Sequence, residues 1–359
     1  MKLSTMPNFK HVVIVSDGIR GHYHQSLGTA SWVSRLSGAT MEKFISVPKL
    51  SSFERYFTKK LNINKLGDKD YINKWLNNAG FRTEQRFEPE TLFISAGSSA
   101  APFCLALARA TGNKAAVVMT PSILGTKPFD FAIVPEHDKF DPNDKNIITT
   151  LGAPNHIYEP EIKEIGQKFF MGKDFSGKKV FSILIGGSDA NYNVTPQWAR
   201  KALEPFKHLK NTVLLITTSR RTGPEVEDAV WEMFSDCKYL EYVLLMSKNP
   251  RVNALSAILG VATHVFATED SVSMVSETAT AGFKVGLIRV PRVPTSYIKN
   301  LVGAGAKRFD EMFNKMIFRG LVTDIKNESA FDEFIATAQQ KHNKDFNEAK
   351  RVAEWILKA

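Results

Sequence analysis

Cysteine is almost missing from this 359-residue chain, which holds only Cys104 and Cys237. Two cysteines so far apart exclude a disulfide framework and a cysteine-based zinc site. No apolar run approaches the roughly 18 residues of a membrane-spanning helix. The opening MKLSTMPNFKHVVIVS lacks an apolar stretch followed by a small-residue cleavage site, so a cytoplasmic location is expected. The G-x-G-x-x-G fingerprint, the Gly-Lys-Ser/Thr of a P-loop and the G-x-S-x-G elbow are absent, which withdraws support from a nucleotide-fold oxidoreductase, a P-loop ATPase and a serine hydrolase. An Asp-x-Asp does occur, at Asp68 to Asp70, but away from any strand end, so neither a metal nor a cofactor is expected.

What is present is a soluble globular composition, 43% hydrophobic and 23% charged, with a formal net charge of +10. The charge favours an anionic partner: phosphate, nucleic acid or an acidic membrane surface. Nucleic acid is not expected, since no helix-turn-helix, zinc-finger or RNP pattern accompanies it. Short β-branched runs (HVVIVS, MEKFISV, TLFISA, AAVVM, DFAIVP and NIITTL) alternate with helix-length intervals and predict a mostly parallel sheet. A second series follows: VFSILIGG, TVLLITTS, YVLLM, HVFATE and KVGLIRV. The fold class is therefore α/β with two parallel-sheet domains. An N-terminal domain is expected over residues 1–155, a Pro-, Gly- and charge-containing linker with a short helical stretch over 156–178, a second domain over 179–326 and a helical segment over 327–359 that either closes the second domain or crosses back onto the first.

The candidate chemistry lies in the loops that follow strands, where open α/β sheets bind ligands. After the first strand, SDGIRGHYHQS offers Asp17 or His22 as a general base, unless Asp17 only caps the following helix. PEHD places His137 between carboxylates, for structural hydrogen bonding or for acid–base work. In the second domain Gly186 and Gly187 follow a strand and would let a ligand approach the backbone. Ser219, Arg220 and Arg221 end another strand, where paired guanidinium groups suit a phosphate. In TEDSVSMVSETATAGF, Asp270 or Ser271 is expected to cap a helix starting around Ser273, with its amides facing an anion and Glu277 near a ribose. The plainer alternative makes Ser271 and Glu269 caps and Ser276 a surface residue.

The stretch from Lys49 to Trp75 interleaves Lys49, Arg55, Lys59, Lys60 and Lys65 with Phe53, Tyr56, Phe57, Leu61 and Leu66. It suits either an amphipathic helix pair packed on the first domain or a face docked on an anionic leaflet.

Taken in order, DGIRGHYHQSLG, PFDFAIVPEHD, LGAPN, LIGGS, TSRRT and TEDSVSMVSE resemble the mitochondrial-fission Elm family, over about Asp17 to Gly286. Its bacterial members look like GT-B glycosyltransferases, some tied to lipopolysaccharide core assembly. The resemblance implies two Rossmann-like domains facing each other across a cleft, a nucleotide sugar as donor, and a glycan or lipid-linked acceptor. It also implies a cytoplasmic protein peripheral on the inner face of the plasma membrane. The Ser-Glu pair of similar enzymes maps onto Ser276 and Glu277, so Glu277 would hold the ribose. Ser271, Ser273 and the helix start would meet the diphosphate, and Arg220 and Arg221 the leaving charge. Asp17, His22 and His137 are the catalytic candidates. Where relatives tend to show Asn-Pro-Tyr this chain has Asn249 to Arg251, and Ser98 and Ser99 stand where they often carry basic residues. The plant members imply the competing reading, a non-catalytic adaptor on a degenerate GT-B fold.

Overall fold

The computed structural model describes residues 9–48, 51–81, 87–138, 140–209, 211–249, 254–294, 307–337 and 345–359. The chain divides into one unit of Met1–His156 with Asn347–Ala359 and a second of Ile157–Phe346. No helix of the described residues is long and apolar enough to cross a membrane.

In the first unit β1 (His11–Ser16), α1 (Arg20–Ser37), β2 (Thr40–Ser46), α2 (Ser52–Thr58), α3 (Lys69–Asn78), β3 (Thr91–Ala96), α4 (Gly97–Thr111), β4 (Lys114–Val118), β5 (Phe131–Pro135) and β6 (Ile147–Thr150) follow in turn. Each of the apolar runs expected as a strand is one. The sheet is parallel, in the order β2-β1-β3-β4-β5-β6. β3 is buried along its whole length because helices cover both faces, which is why its sequence is continuously apolar rather than alternating. Gly38 ends α1 in the left-handed conformation, φ 76°, and its N–H returns to Ser34 O.

The second unit begins with α5 (Glu159–Phe169), then β7 (Lys179–Ile185), α6 (Pro196–Leu203), β8 (Thr212–Thr218), α7 (Pro224–Phe234), β9 (Leu240–Leu244), α8 (Leu255–Val261), β10 (His264–Thr268), α9 (Val272–Thr280), β11 (Val285–Ile288), α10 (Lys307–Phe318), β12 (Val322–Asp324) and α11 (Glu328–Ala336). Its sheet is also parallel, ordered β12-β11-β10-β7-β8-β9. Thr195 caps α6 by accepting the Trp198 N–H, with Pro196 in the first turn.

Two of the expected segments take definite form. The short helical stretch expected in residues 156–178 is α5, which packs on α8 backbone to backbone, so closely that a Cβ on Gly260 would fall 2.0 Å from Ile162 O. The C-terminal segment is divided. α11 stays in the second unit, with Phe331 and Phe334 in its core, while α12 (Glu348–Ile356) returns to the first. It buries Val352, Ala353 and Ile356, and Trp355 meets Phe131 edge-on at 5.6 Å. A fully buried side chain such as Ile356 stabilises by about 2 kcal/mol, enough to hold a helix of two and a half turns in place.

Candidate functional site

Each sheet reverses its winding once. In the first unit the reversal lies between β1 and β3, and in the second between β7 and β10. The connections beyond these strands leave in opposite directions and open a crevice at the carboxyl ends.

At the first reversal the β1–α1 loop is tied by its own side chains: Ser16 Oγ accepts from Gly18 N at 3.1 Å and Asp17 Oδ1 from Ile19 N at 3.1 Å. Asp17 Oδ2 lies 2.9 Å from His22 Nδ1. The Asp17 side chain is only 6% exposed while that of His22 is 21% exposed, so the carboxylate sits behind a ring that solvent can reach. An ionised carboxylate only accepts, which assigns the Nδ1 proton to this bond, so that in the neutral ring the lone pair is on Nε2. The ring lies over Gly97, the first residue of α4, whose φ is +77°. A Cβ there would come within 2.3 Å of His22 Cε1, so only glycine permits this placement. Asp17 and His22 are thus brought together. His137 is not: it follows β5, about 14 Å along the sheet from β1 at the usual strand spacing, and its Nε2 stands 3.9 Å from Asp138 Oδ1.

At the second reversal the loops after β7, β8 and β10 converge. Gly186 N donates to Thr268 Oγ1 at 2.7 Å and Gly187 N to Asp270 Oδ2 at 2.8 Å. A Cβ on Gly187 would fall 2.1 Å from the Arg221 backbone. The glycine pair therefore admits the protein's own residues, where an approach by ligand was expected. Arg221 also differs from expectation. Its guanidinium donates to Gly187 O at 2.9 Å, Asp189 Oδ2 at 3.3 Å, Asp270 O at 3.1 Å and Asp270 Oδ2 at 2.9 Å. It clamps three loops instead of forming a phosphate fork with Arg220, which is exposed. Ser219 shapes the turn, its Oγ accepting from Arg221 N at 3.1 Å.

Asp270 does not cap α9, because its carboxylate is already bound by Gly187 and Arg221. Its Oδ1 is buried without a hydrogen-bond partner among the described residues, and burial pushes its pKa up against the opposing pull of Thr268, Arg221 and Gly187. α9 starts at Val272, one residue before Ser273, and Ser271 occupies the cap position without a side-chain cap bond. The first-turn amides of α9 thus lack the usual side-chain acceptor. Ser276 and Glu277 are buried on this helix, not surface residues. Of Asn249 to Arg251, Pro250 and Arg251 lie outside the described residues.

A network that sequence reasoning missed joins the ends of β10, β11 and β12. Arg289 Nη1 donates to Glu269 Oε2 at 2.8 Å, while its Nε and Nη2 donate to Asp324 at 3.0 and 2.8 Å. Burial alone would depress the Arg289 pKa, but the Asp324 and Glu269 carboxylates hold it above its ordinary value. Glu269 and Arg289 directly follow β10 and β11, and Asp324 ends β12, but nothing local in the sequence pairs the three.

The solved structure described as "OtsA apo structure" is similar in fold, at a TM-score of 0.50 and 12% identity over 97% of this chain and 99% of that one. UDP-GlcNAc 2-epimerase from Neisseria meningitidis bound to UDP-GlcNAc matches at a TM-score of 0.47 and 13% identity, over 97% and 100% of the two chains. A glycosyl transferase family 9 structure from Veillonella parvula matches at a TM-score of 0.43 and 10% identity, over 98% of each. No curated protein sequence matches. The fold is α/β of the GT-B kind, with two Rossmann-like parallel sheets. The family model described as Mitochondrial fission ELM1 matches residues 20–359, nearly the whole chain, and the chain belongs to that family.

Proposed function

We propose that this protein is a glycosyltransferase that moves a sugar from a nucleotide-sugar donor to a hydroxyl of a lipid-linked or lipopolysaccharide-core acceptor. The observation that carries the reading is the Asp17–His22 pair at the strand-order reversal of the first unit, a partly exposed imidazole oriented by a carboxylate. Nε2 of His22 takes the acceptor proton, the acceptor oxygen bonds to the anomeric carbon, and the bond from that carbon to the diphosphate breaks. The second unit holds the donor. The side-chain-uncapped first turn of α9, with Ser271 and Ser273, meets the diphosphate, and exposed Arg220 balances the leaving charge. Glu277, with Ser276 beside it, accepts from the ribose hydroxyls. On this reading the protein works in the cytoplasm at the inner face of the plasma membrane.

One observation favours a second reading, a non-catalytic adaptor with a closed nucleotide seat: Arg221 and the amides of Gly186 and Gly187 are already satisfied by the protein's own groups. A thermal-shift panel of UDP, GDP, ADP and CMP on the wild type and Glu277→Ala separates the two. Stabilisation by one nucleotide that the variant loses is the expected outcome. Silence across the panel would leave the adaptor.

A further inference from the structure

The basic, aromatic segment 49–75 divides into two faces. α3 is an ordinary core helix: it buries Ile72 and Leu76, and Trp75 packs on Phe103 at 5.2 Å. α2 carries two exposed rings. Phe53 is 72% exposed and Tyr56 49% exposed, one turn apart on the same side of the helix. Just after α2, Lys59 Nζ donates to Ser122 Oγ at 3.3 Å and so fixes the β4–β5 loop beside the helix. The next residue of that loop, Ile123, is 57% exposed with a φ of 71°, a left-handed backbone that β-branched residues avoid. Neither burial nor local propensity accounts for an isoleucine held outward in that conformation. Lys60 Nζ stands 4.2 Å from the Tyr56 ring centroid, which places a cation beside the apolar tips.

We propose that the surface formed by α2 and the Ile123 loop docks on an anionic lipid bilayer, with Phe53, Tyr56 and Ile123 in the interfacial layer and Lys59 and Lys60 at the phosphates. Segment 49–75 carries seven Lys and Arg against three Asp and Glu, a complement to an acidic leaflet. A few exposed apolar tips flanked by lysines suit lipid better than a protein partner, whose interface would need a continuous, well-packed apolar centre. The inference stands apart from the transfer reaction, since it uses none of the residues assigned to it.

The test is co-sedimentation of the full chain with vesicles of phosphatidylcholine alone and of equimolar phosphatidylcholine and phosphatidylglycerol. Binding to the mixed vesicles only, weakened by salt, is expected. Lys59→Gln with Lys60→Gln should lower that binding by about 25-fold, the product of two lysines at about fivefold each. Phe53→Ser with Ile123→Ser should lower it by about tenfold or more through lost apolar burial, with melting temperatures unchanged in both variants. Absence of vesicle binding would overturn the proposal. So would binding that the apolar pair of substitutions leaves intact, because the surface would then be a general polyanion-binding face for nucleic acid or acidic protein as much as for lipid.

Discussion

At the end of β1, Asp17 and His22 bond to each other and leave an imidazole partly exposed; at the end of β7, the Gly187 amide and Arg221 converge on Asp270, whose side chain has no exposed surface. The two places are equivalent in topology, each beside the reversal of strand order. Both gather titratable groups because loop residues at strand ends carry the polar side chains that the buried strands exclude. Burial separates their roles. On the proposed reading a carboxylate behind a reachable ring orients a base, whereas a carboxylate enclosed by an arginine and one backbone amide holds loops together. Charge in a crevice is therefore insufficient to mark a reacting group.

The largest effect should come from removing the base. His22→Ala is expected to slow nucleoside diphosphate release from the sugar nucleotide by roughly 10²–10⁴-fold, the usual contribution of a positioned general base. The thermal shift on nucleotide binding should survive, because the donor groups belong to the other unit. A rate within a few-fold of wild type would remove the base role and with it the contrast between the two crevices.

Arg221 tests the other side of the contrast. Arg221→Met strands a buried carboxylate and should cost the second unit about 3 kcal/mol, the low end for breaking a buried pair, since the arginine side chain is 40% exposed. Urea unfolding of the full chain reads this directly. Adding Asp270→Asn to that variant should recover part of the loss by removing the stranded charge. If Arg221→Met unfolds like wild type, the clamp is not structural and the guanidinium is available to a phosphate after all.

The same contrast explains what was legible in the sequence. The strands were readable because burial on both faces enforces continuous apolar runs, and β12 was missed because Val322–Asp324 is too short to carry a pattern. Asp17 and His22 were readable as alternative bases five residues apart, though not as the bonded pair they form. Arg221 could not be paired: its acceptors lie 32, 34 and 49 positions away, and only the sheet register brings them together. Glu269, Arg289 and Asp324 were hidden for the same reason, while the return of α12 to the first unit leaves no local signal at all.

The first residues of the matching strands β3 and β10 extend the comparison to acid. Thr91 opens β3 with an uncharged hydroxyl that donates to Glu88 O at 2.7 Å. His264 opens β10, buried and stacked on Phe181 at 4.6 Å, with Nδ1 2.9 Å from Thr263 Oγ1 and Nε2 3.3 Å from Thr337 O. Burial pushes its pKa down from 6.5 to about 4. The folded second unit thus favours the neutral ring. The resulting stability is fully present above pH 6.5 and is lost as pH falls toward 4, because the unfolded chain takes up the proton first. At about pH 5 the loss from this one group is about 2 kcal/mol. His264→Gln, which has no proton to gain, should flatten the decline of the melting temperature across that window while the wild type falls. Parallel curves for the two proteins would mean that His264 titrates as an ordinary histidine and that its burial carries no energetic consequence.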